Sequence, residues 1–194
     1  MKTITVYCAS STSLDQEYHD AAERVGKEIA SRGFTLVYGG GRIGLMGEVA
    51  LTAAANGAEV IGVITHKFVA HEQANESCDE LIVVETMQER RSIMMERGEA
   101  FLVLPGGIGT YEEFFEVLVG RQIDDHAKPI GLVNVRGYFD PMKAMLEHGI
   151  EQRFMRPALR ELLFYDPSPT AVIDYVTSGT SSQPPPEDIL PMHG

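Results

Sequence analysis

The sequence predicts an α/β protein built on a doubly wound parallel sheet. Three observations predict it. Short continuous apolar runs recur along the chain, as strands buried on both faces require. Segments of helical periodicity alternate with those runs. Glycines cluster where strands end and helices open. Right-handed crossovers between such units cover both faces of one sheet.

The elements follow in order. Ile4–Cys8 is the first expected strand. Leu14, Tyr18, Ala21, Ala22, Val25 and Ile29 then recur at helical spacing, and Gly33 closes that helix. A second strand is expected at Phe34–Tyr38, before Gly39-Gly40-Gly41. A helix at Leu45–Asn56 meets Gly57 as its C-terminal stop. Val60–Ile64 reads as a buried strand, and 65–79 as irregular and polar. Next come a strand at Leu81–Val84, a helix at Met87–Arg97 and a strand at Phe101–Leu104. A Pro-Gly-Gly turn leads to an expected helix at Tyr111–Gln122, and Ile130–Val135 reads as the last strand. Asp140 as cap and Pro141 at the first helical position start a further helix. Two short helices are expected near 158–164 and 169–177. From Thr177 onward the chain is rich in Ser, Thr and Pro, including Pro184-Pro185-Pro186, and reads as a tail. The expectation is one Rossmann-like domain over 1–178, in three α/β/α layers, with a tail at 179–194. A length of 194 residues fits one domain.

Composition narrows the function. The chain carries 28 acidic against 16 basic side chains, a formal net charge of −12. Nucleic-acid polymers and anionic membrane surfaces both demand clustered Lys and Arg, so neither is an expected partner. No apolar run approaches the ~18 residues of a membrane span. The two cysteines, Cys8 and Cys78, make neither a disulfide framework nor a CxxC pattern. Met1-Lys2-Thr3-Ile4 runs into apolar alternation without a signal-peptide core, so a cytoplasmic setting is expected. The six histidines show no HExxH spacing, and no metal is expected.

Two glycine-rich turns carry the chemistry. Gly39, Gly41 and Gly44 form GxGxxG between a strand and a helix, which taken literally is a dinucleotide fingerprint. It follows the second strand rather than the first, however. The next strand ends in Thr65-His66-Lys67, without the acidic residue a ribose would need. The remaining readings are tight turning with helix–sheet packing, or close backbone approach to a phosphate or ribose. The second turn, Pro105-Gly106-Gly107-Ile108-Gly109-Thr110, lacks the GK[ST] of a P-loop but presents backbone N–H groups at a helix N-terminus. Thr110-x-x-Glu113 fits a capping box, and the same carboxylate lies where it can face a bound sugar. Thr86-x-x-Glu89 fits a second capping box, starting a helix at Met87. Arg90 and Arg91 then sit near its start, either solvated or facing the pocket mouth to bind an anion.

Taken together, GGGxxGLMG at 39–47, Met87-x-x-Arg90-Arg91 and PGGxGTxxE at 105–113 resemble the LOG ("lonely guy") family. These are cytokinin riboside 5′-monophosphate phosphoribohydrolases, long described as lysine decarboxylases. The resemblance spans roughly residues 3–176 and includes Tyr7-Cys8-Ala9-Ser10-Ser11, Lys128-Pro129 and Gly137-Tyr138. It implies a Rossmann-like fold, a homodimer or larger assembly, no metal and no redox cofactor. The implied reaction hydrolyses the N-glycosidic bond of AMP or a cytokinin riboside 5′-monophosphate to free base and ribose 5-phosphate. By motif position the catalytic pair falls on Arg90 and Glu113. Substrate contacts fall around Gly41, Gly44, Met46, Gly106, Gly107, Gly109 and Thr110, with Ser10 and Arg91 as further positions. Many members read Met-His-x-Arg-Lys where this chain has Met87-Gln88-Glu89-Arg90-Arg91, and Asn75 stands where a His is expected.

Two other classes compete. Lys67 superficially resembles a pyridoxal-phosphate lysine, but one domain of this size lacks the large architecture of such decarboxylases. A non-catalytic nucleotide- or cofactor-binding carrier shares the fold; the Arg90 and Glu113 pair is what mere binding does not require. Tyr111, Met94 and Phe115 read either as base-pocket walls or as core.

Overall fold

The computed structural model describes residues 2–69 and 74–179. The expected tail lies, from residue 180 on, outside the described residues. Among the described residues there are seven strands: β1 (Thr3–Tyr7), β2 (Thr35–Tyr38), β3 (Val60–Thr65), β4 (Glu80–Val84), β5 (Ala100–Val103), β6 (Ile130–Val133) and β7 (Leu163–Asp166). They form one all-parallel sheet in the order β4-β3-β2-β1-β5-β6-β7. Val6, Leu36, Val63, Leu102 and Leu132 are essentially inaccessible to solvent, which is why their strands read as unbroken apolar runs.

Helices cover both faces. On one lie α1 (Gln16–Ser31), α2 (Gly44–Ala55) and α7 (Pro169–Thr177), with Val25, Ile29, Val49 and Ile173 packed against Ile4 and Leu102. On the other lie α4 (Met87–Arg97), α5 (Ile108–Gln122) and α6 (Asp140–Glu151), with Met94, Phe114 and Leu146 packed against Phe101 and Val103. A one-turn helix, α3 (His66–Val69), starts the segment expected to be irregular. Among the described residues, no helix is long and apolar enough to cross a membrane.

Three expectations are corrected. Ile130–Val135 is not the last strand: β6 ends at Val133, a 3-10 turn takes Val135–Gly137, and β7 follows at the sheet edge. The helix expected near 158–164 is a 3-10 helix at Pro157–Leu162 that runs straight into β7. Helix α5 starts three residues before Tyr111, with Gly107 as its N-cap.

The order of strands fixes the site. β1 lies between β2 and β5, with Thr5 beside both Val37 and Phe101. The chain builds outward from β1 to β4, then returns to start again on the other side at β5. Loops leaving β1 and β5 therefore diverge to opposite sides, opening a crevice beyond their C-terminal ends.

Candidate active site

A cleft of about 340 Å³ occupies that crevice. Tyr7 at the end of β1 and Cys8, Ala9, Ser10 and Ser11 after it line the cleft. Gly39 and Met46 come from the first glycine turn, Met87, Arg90 and Met94 from α4. Gly107, Ile108, Gly109, Thr110 and Glu113 come from the second turn and the start of α5. Ala9 ties the loops together. Its N–H donates to the Pro105 carbonyl at 3.2 Å, and its carbonyl accepts from the Met46 N–H at 3.1 Å.

Arg90 and Glu113 meet here. Each is 7% exposed, and Arg90 Nη1 donates to Glu113 Oε1 at 3.1 Å. Arg90 Nε donates to the Val63 carbonyl at 2.9 Å and Nη2 to the Gly39 carbonyl at 3.3 Å. Three directions of its planar fork are thus taken by protein acceptors, which locks the guanidinium. The expected capping box at Thr86 is formed: its Oγ1 accepts from the Glu89 N–H at 3.1 Å and its N–H donates to Glu89 at 3.1 Å. That cap sets the phase of α4 and turns Arg90 inward. No capping box forms at Thr110. Because Gly107 is the N-cap, Thr110 is already inside α5, and Glu113 lies beyond the first turn, where it reaches Arg90 instead of the helix start.

Two glycine turns that look alike in sequence differ in what surrounds them. A Cβ on Gly39 would lie 2.2 Å from Arg90 Nη2, and one on Gly44 2.4 Å from the Ser10 carbonyl carbon. Protein atoms fill those spaces, although Gly39 and Met46 of the same turn also line the cleft. Gly41 pairs with Ala74 in an isolated bridge, and neither Gly41 nor Gly44 lines the cleft. A Cβ on Gly107 or Gly109 meets nothing within 4 Å, and both residues line the cleft. The second turn is the open one. The first N–H groups of a helix have no intrahelical acceptor, and at α5 the Gly107 N-cap has no side chain to take one.

The other expected residues divide similarly. Ser10, Met46 and Thr110 line the cleft; Gly106 lies behind it. Arg91 does not face the mouth: it pairs with Glu116 at 2.9 Å and Glu112 at 3.0 Å on α5. Met94 is on the wall, whereas Tyr111 and Phe115 line a groove between α5 and α6. Sequence reasoning missed Tyr7, whose ring stacks on Phe101 with centroids 6.0 Å apart. Burial, then the charges of Glu113 and Glu116, hold its phenol well above the ordinary range, so it stays protonated. The signal for Tyr7 was its place at a strand end, but which strand borders the crevice is a matter of topology.

The family model described as "Possible lysine decarboxylase" matches residues 46–176. A rice protein (Oryza sativa subsp. japonica), named probable cytokinin riboside 5′-monophosphate phosphoribohydrolase LOGL2, is 39% identical over 173 residues, covering 89% of this chain and 71% of its own. The Arabidopsis thaliana protein named cytokinin riboside 5′-monophosphate phosphoribohydrolase LOG1 is 38% identical over 179 residues, covering 90% and 84%. Among solved structures, the molybdenum cofactor binding protein of Rippkaea orientalis superposes with a TM-score of 0.70 at 18% identity, over 93% of this chain and 98% of that one. That likeness is one of fold. The extent of the model match and the level of identity to the plant proteins lead to one assignment: the chain belongs to the LOG family, the family whose model is described as possible lysine decarboxylase.

Proposed function

We propose that this protein hydrolyses the N-glycosidic bond of an adenine-type nucleoside 5′-monophosphate, AMP or a cytokinin riboside 5′-monophosphate. The products are the free base and ribose 5-phosphate. The observation that carries the reading is the buried Arg90–Glu113 pair lining the same cleft as the N-terminus of α5. The plant relatives named for this activity support it.

The phosphate sits on the N–H groups of Gly107, Ile108 and Gly109 at the start of α5, where the helix dipole favours an anion. Binding energy from that remote group holds the sugar in place for the reaction. The C1′–N bond breaks with its electron pair leaving on the base nitrogen, through an oxocarbenium-like sugar. Glu113 faces that cation, stabilises it and takes a proton from the attacking water, whose oxygen bonds to C1′. The departing base nitrogen takes up a proton from solvent, and Glu113 gives its own proton back to solvent, so that the carboxylate is restored. Arg90 orients Glu113; its commitment to Val63 and Gly39 favours this role over direct grip of the substrate.

The alternative, a carrier without turnover, has only the fold of its structural neighbours behind it. The decarboxylase description implies pyridoxal phosphate, which requires a lysine to form its Schiff base. The donor set does not fit: among the described residues lining the cleft there is no lysine, and Lys67 is exposed over the Phe68 ring. We read the assembly as a homodimer. A groove of about 520 Å³ between α5 and α6, and the exposed Ile108, Val119, Ile123 and Met145, support a second copy there. A sedimenting mass of one chain would remove that reading. We read the setting as cytoplasmic: the two cysteines, Cys8 and Cys78, make neither a disulfide framework nor a CxxC pattern.

Glu113→Gln tests the reaction. It keeps the shape of the side chain and removes the base, so adenine release from AMP should fall at least a hundredfold while AMP still binds. Undiminished adenine release in that variant sinks the assignment.

A further inference from the structure

The turn Pro105–Gly109 separates two cavities. The cleft is on one side. On the other is a pocket of about 400 Å³ whose lining includes Leu14, Tyr18, Gly106 and Tyr138. Gly107 belongs to both linings, Gly106 to the second alone. From that second side the Tyr138 hydroxyl donates to the Gly106 carbonyl at 2.6 Å.

The Gly106 carbonyl and the Gly107 N–H are two ends of one peptide unit. No peptide among the described residues is cis, and in a trans unit the C=O and N–H point in opposite directions. Drawing the carbonyl back toward Tyr138 therefore turns the Gly107 N–H toward the cleft. Flanking glycines leave such a unit free to rotate, so the covalent chain does not decide which side receives the donor. Tyr138 itself is held in place. Tyr18 and Phe139 pack edge-on to its ring at 6.2 and 5.2 Å. Beside it, burial and next the Tyr138 hydroxyl push the Tyr111 phenol up to about 12.

We infer that Tyr138 is a positioning residue for anion recognition: from outside the cleft, its hydroxyl aims the Gly107 N–H at the substrate phosphate. This rests on the reading of the α5 N-terminus as the phosphate site. It makes Tyr138 a determinant of the preference for nucleotide over nucleoside, without contact with either.

Tyr138→Phe keeps the ring packing and removes only the hydroxyl. A misaimed donor to a charged acceptor should raise KM for AMP and the inhibition constant of ribose 5-phosphate about tenfold or more. The kcat for AMP should change less than twofold, and inhibition by adenosine, which lacks the phosphate, should not change. An unaltered inhibition constant for ribose 5-phosphate overturns the inference, as does equal weakening of ribose 5-phosphate and adenosine, the sign of a merely loosened site. A second measurement needs no variant. In the wild-type protein the Gly107 amide resonance should shift on titration with ribose 5-phosphate, and an unmoved resonance in a protein that binds the ligand overturns the inference. Failure of the wild type to bind ribose 5-phosphate at all would instead remove the phosphate site, and the inference with it.

Discussion

The Arg90–Glu113 pair gives the sharpest test of whether this site is kept for chemistry rather than stability. Consider Arg90→Met, Glu113→Leu and the double variant. Glu113→Leu strands a guanidinium that is 7% exposed, leaving it two carbonyl acceptors, Val63 and Gly39. Removing one partner of a buried pair costs about 3–5 kcal/mol. At about 2–4 °C per kcal/mol for a chain of this size, Tm falls by about 6–20 °C. Arg90→Met takes away the guanidinium that donates to the Glu113 carboxylate at 3.1 Å, at a similar cost, so independent effects would sum to about 6–10 kcal/mol. The double variant holds neither buried charge of this pair. Its main debt is two carbonyls that have lost a donor, at about 1–2 kcal/mol each. It should therefore be destabilised by only about 2–4 kcal/mol, giving a coupling of about 2–8 kcal/mol. Urea melts of the four proteins measure this, and adenine release from AMP is followed alongside. The expected outcome is a double variant at least as stable as either single one and without activity. Additive losses would refute the argument that the two charges compensate one another, and adenine release by the double variant would refute the role given to the pair.

Two further outcomes follow from neighbouring features. His126 accepts from the Lys128 N–H at Nδ1 and bonds the Val117 carbonyl through Nε2, an arrangement that suits the neutral ring, and burial pushes its pKa down. The unfolded chain takes up a proton near pH 6.5 where the folded one does not, so stability holds above that pH and falls as the pH drops through it. Urea melts between pH 7.5 and 5.5 should show this slope, and His126→Gln should lose it; an unchanged slope refutes the assignment. The two glycine turns should also respond oppositely. Gly39→Ala drives a methyl against Arg90 Nη2 and should lower both Tm and activity, whereas Gly109→Ala fills open space at a helix start. The latter should keep or slightly raise Tm, by up to about 1 kcal/mol of helix propensity, while raising KM for AMP. A Gly39→Ala protein with wild-type Tm would count against the packing described for the first turn.

What the residues alone made legible was the local part. Unbroken apolar runs specified a parallel sheet, because a strand covered on both faces has no polar side to show. Thr86 and Glu89 specified the start of α4 to the residue, because both hydrogen bonds of that cap close within one turn. The same spacing at Thr110 and Glu113 misled. There the helix begins earlier, and a partner from α4, Arg90, takes up the carboxylate. The strand β7 was hidden because Leu163–Asp166 is short, half-buried and at the sheet edge, where pairing with β6 alone defines it.

The sequence by itself determined the class of fold, the family and the names of the two residues on which the chemistry is proposed to turn. Only the tertiary structure decided how they are used. It brought Arg90 and Glu113, 23 positions apart, into one buried pair, and it took Arg91 away to Glu112 and Glu116. It also separated two glycine motifs of equal appearance, filling the space at Gly39 and Gly44 with protein and leaving it open at Gly107 and Gly109. The physical reason is common to all of these. A glycine, an arginine or a carboxylate states what it can do, but what occupies the adjacent few ångströms is set by chain segments that the fold brings from elsewhere.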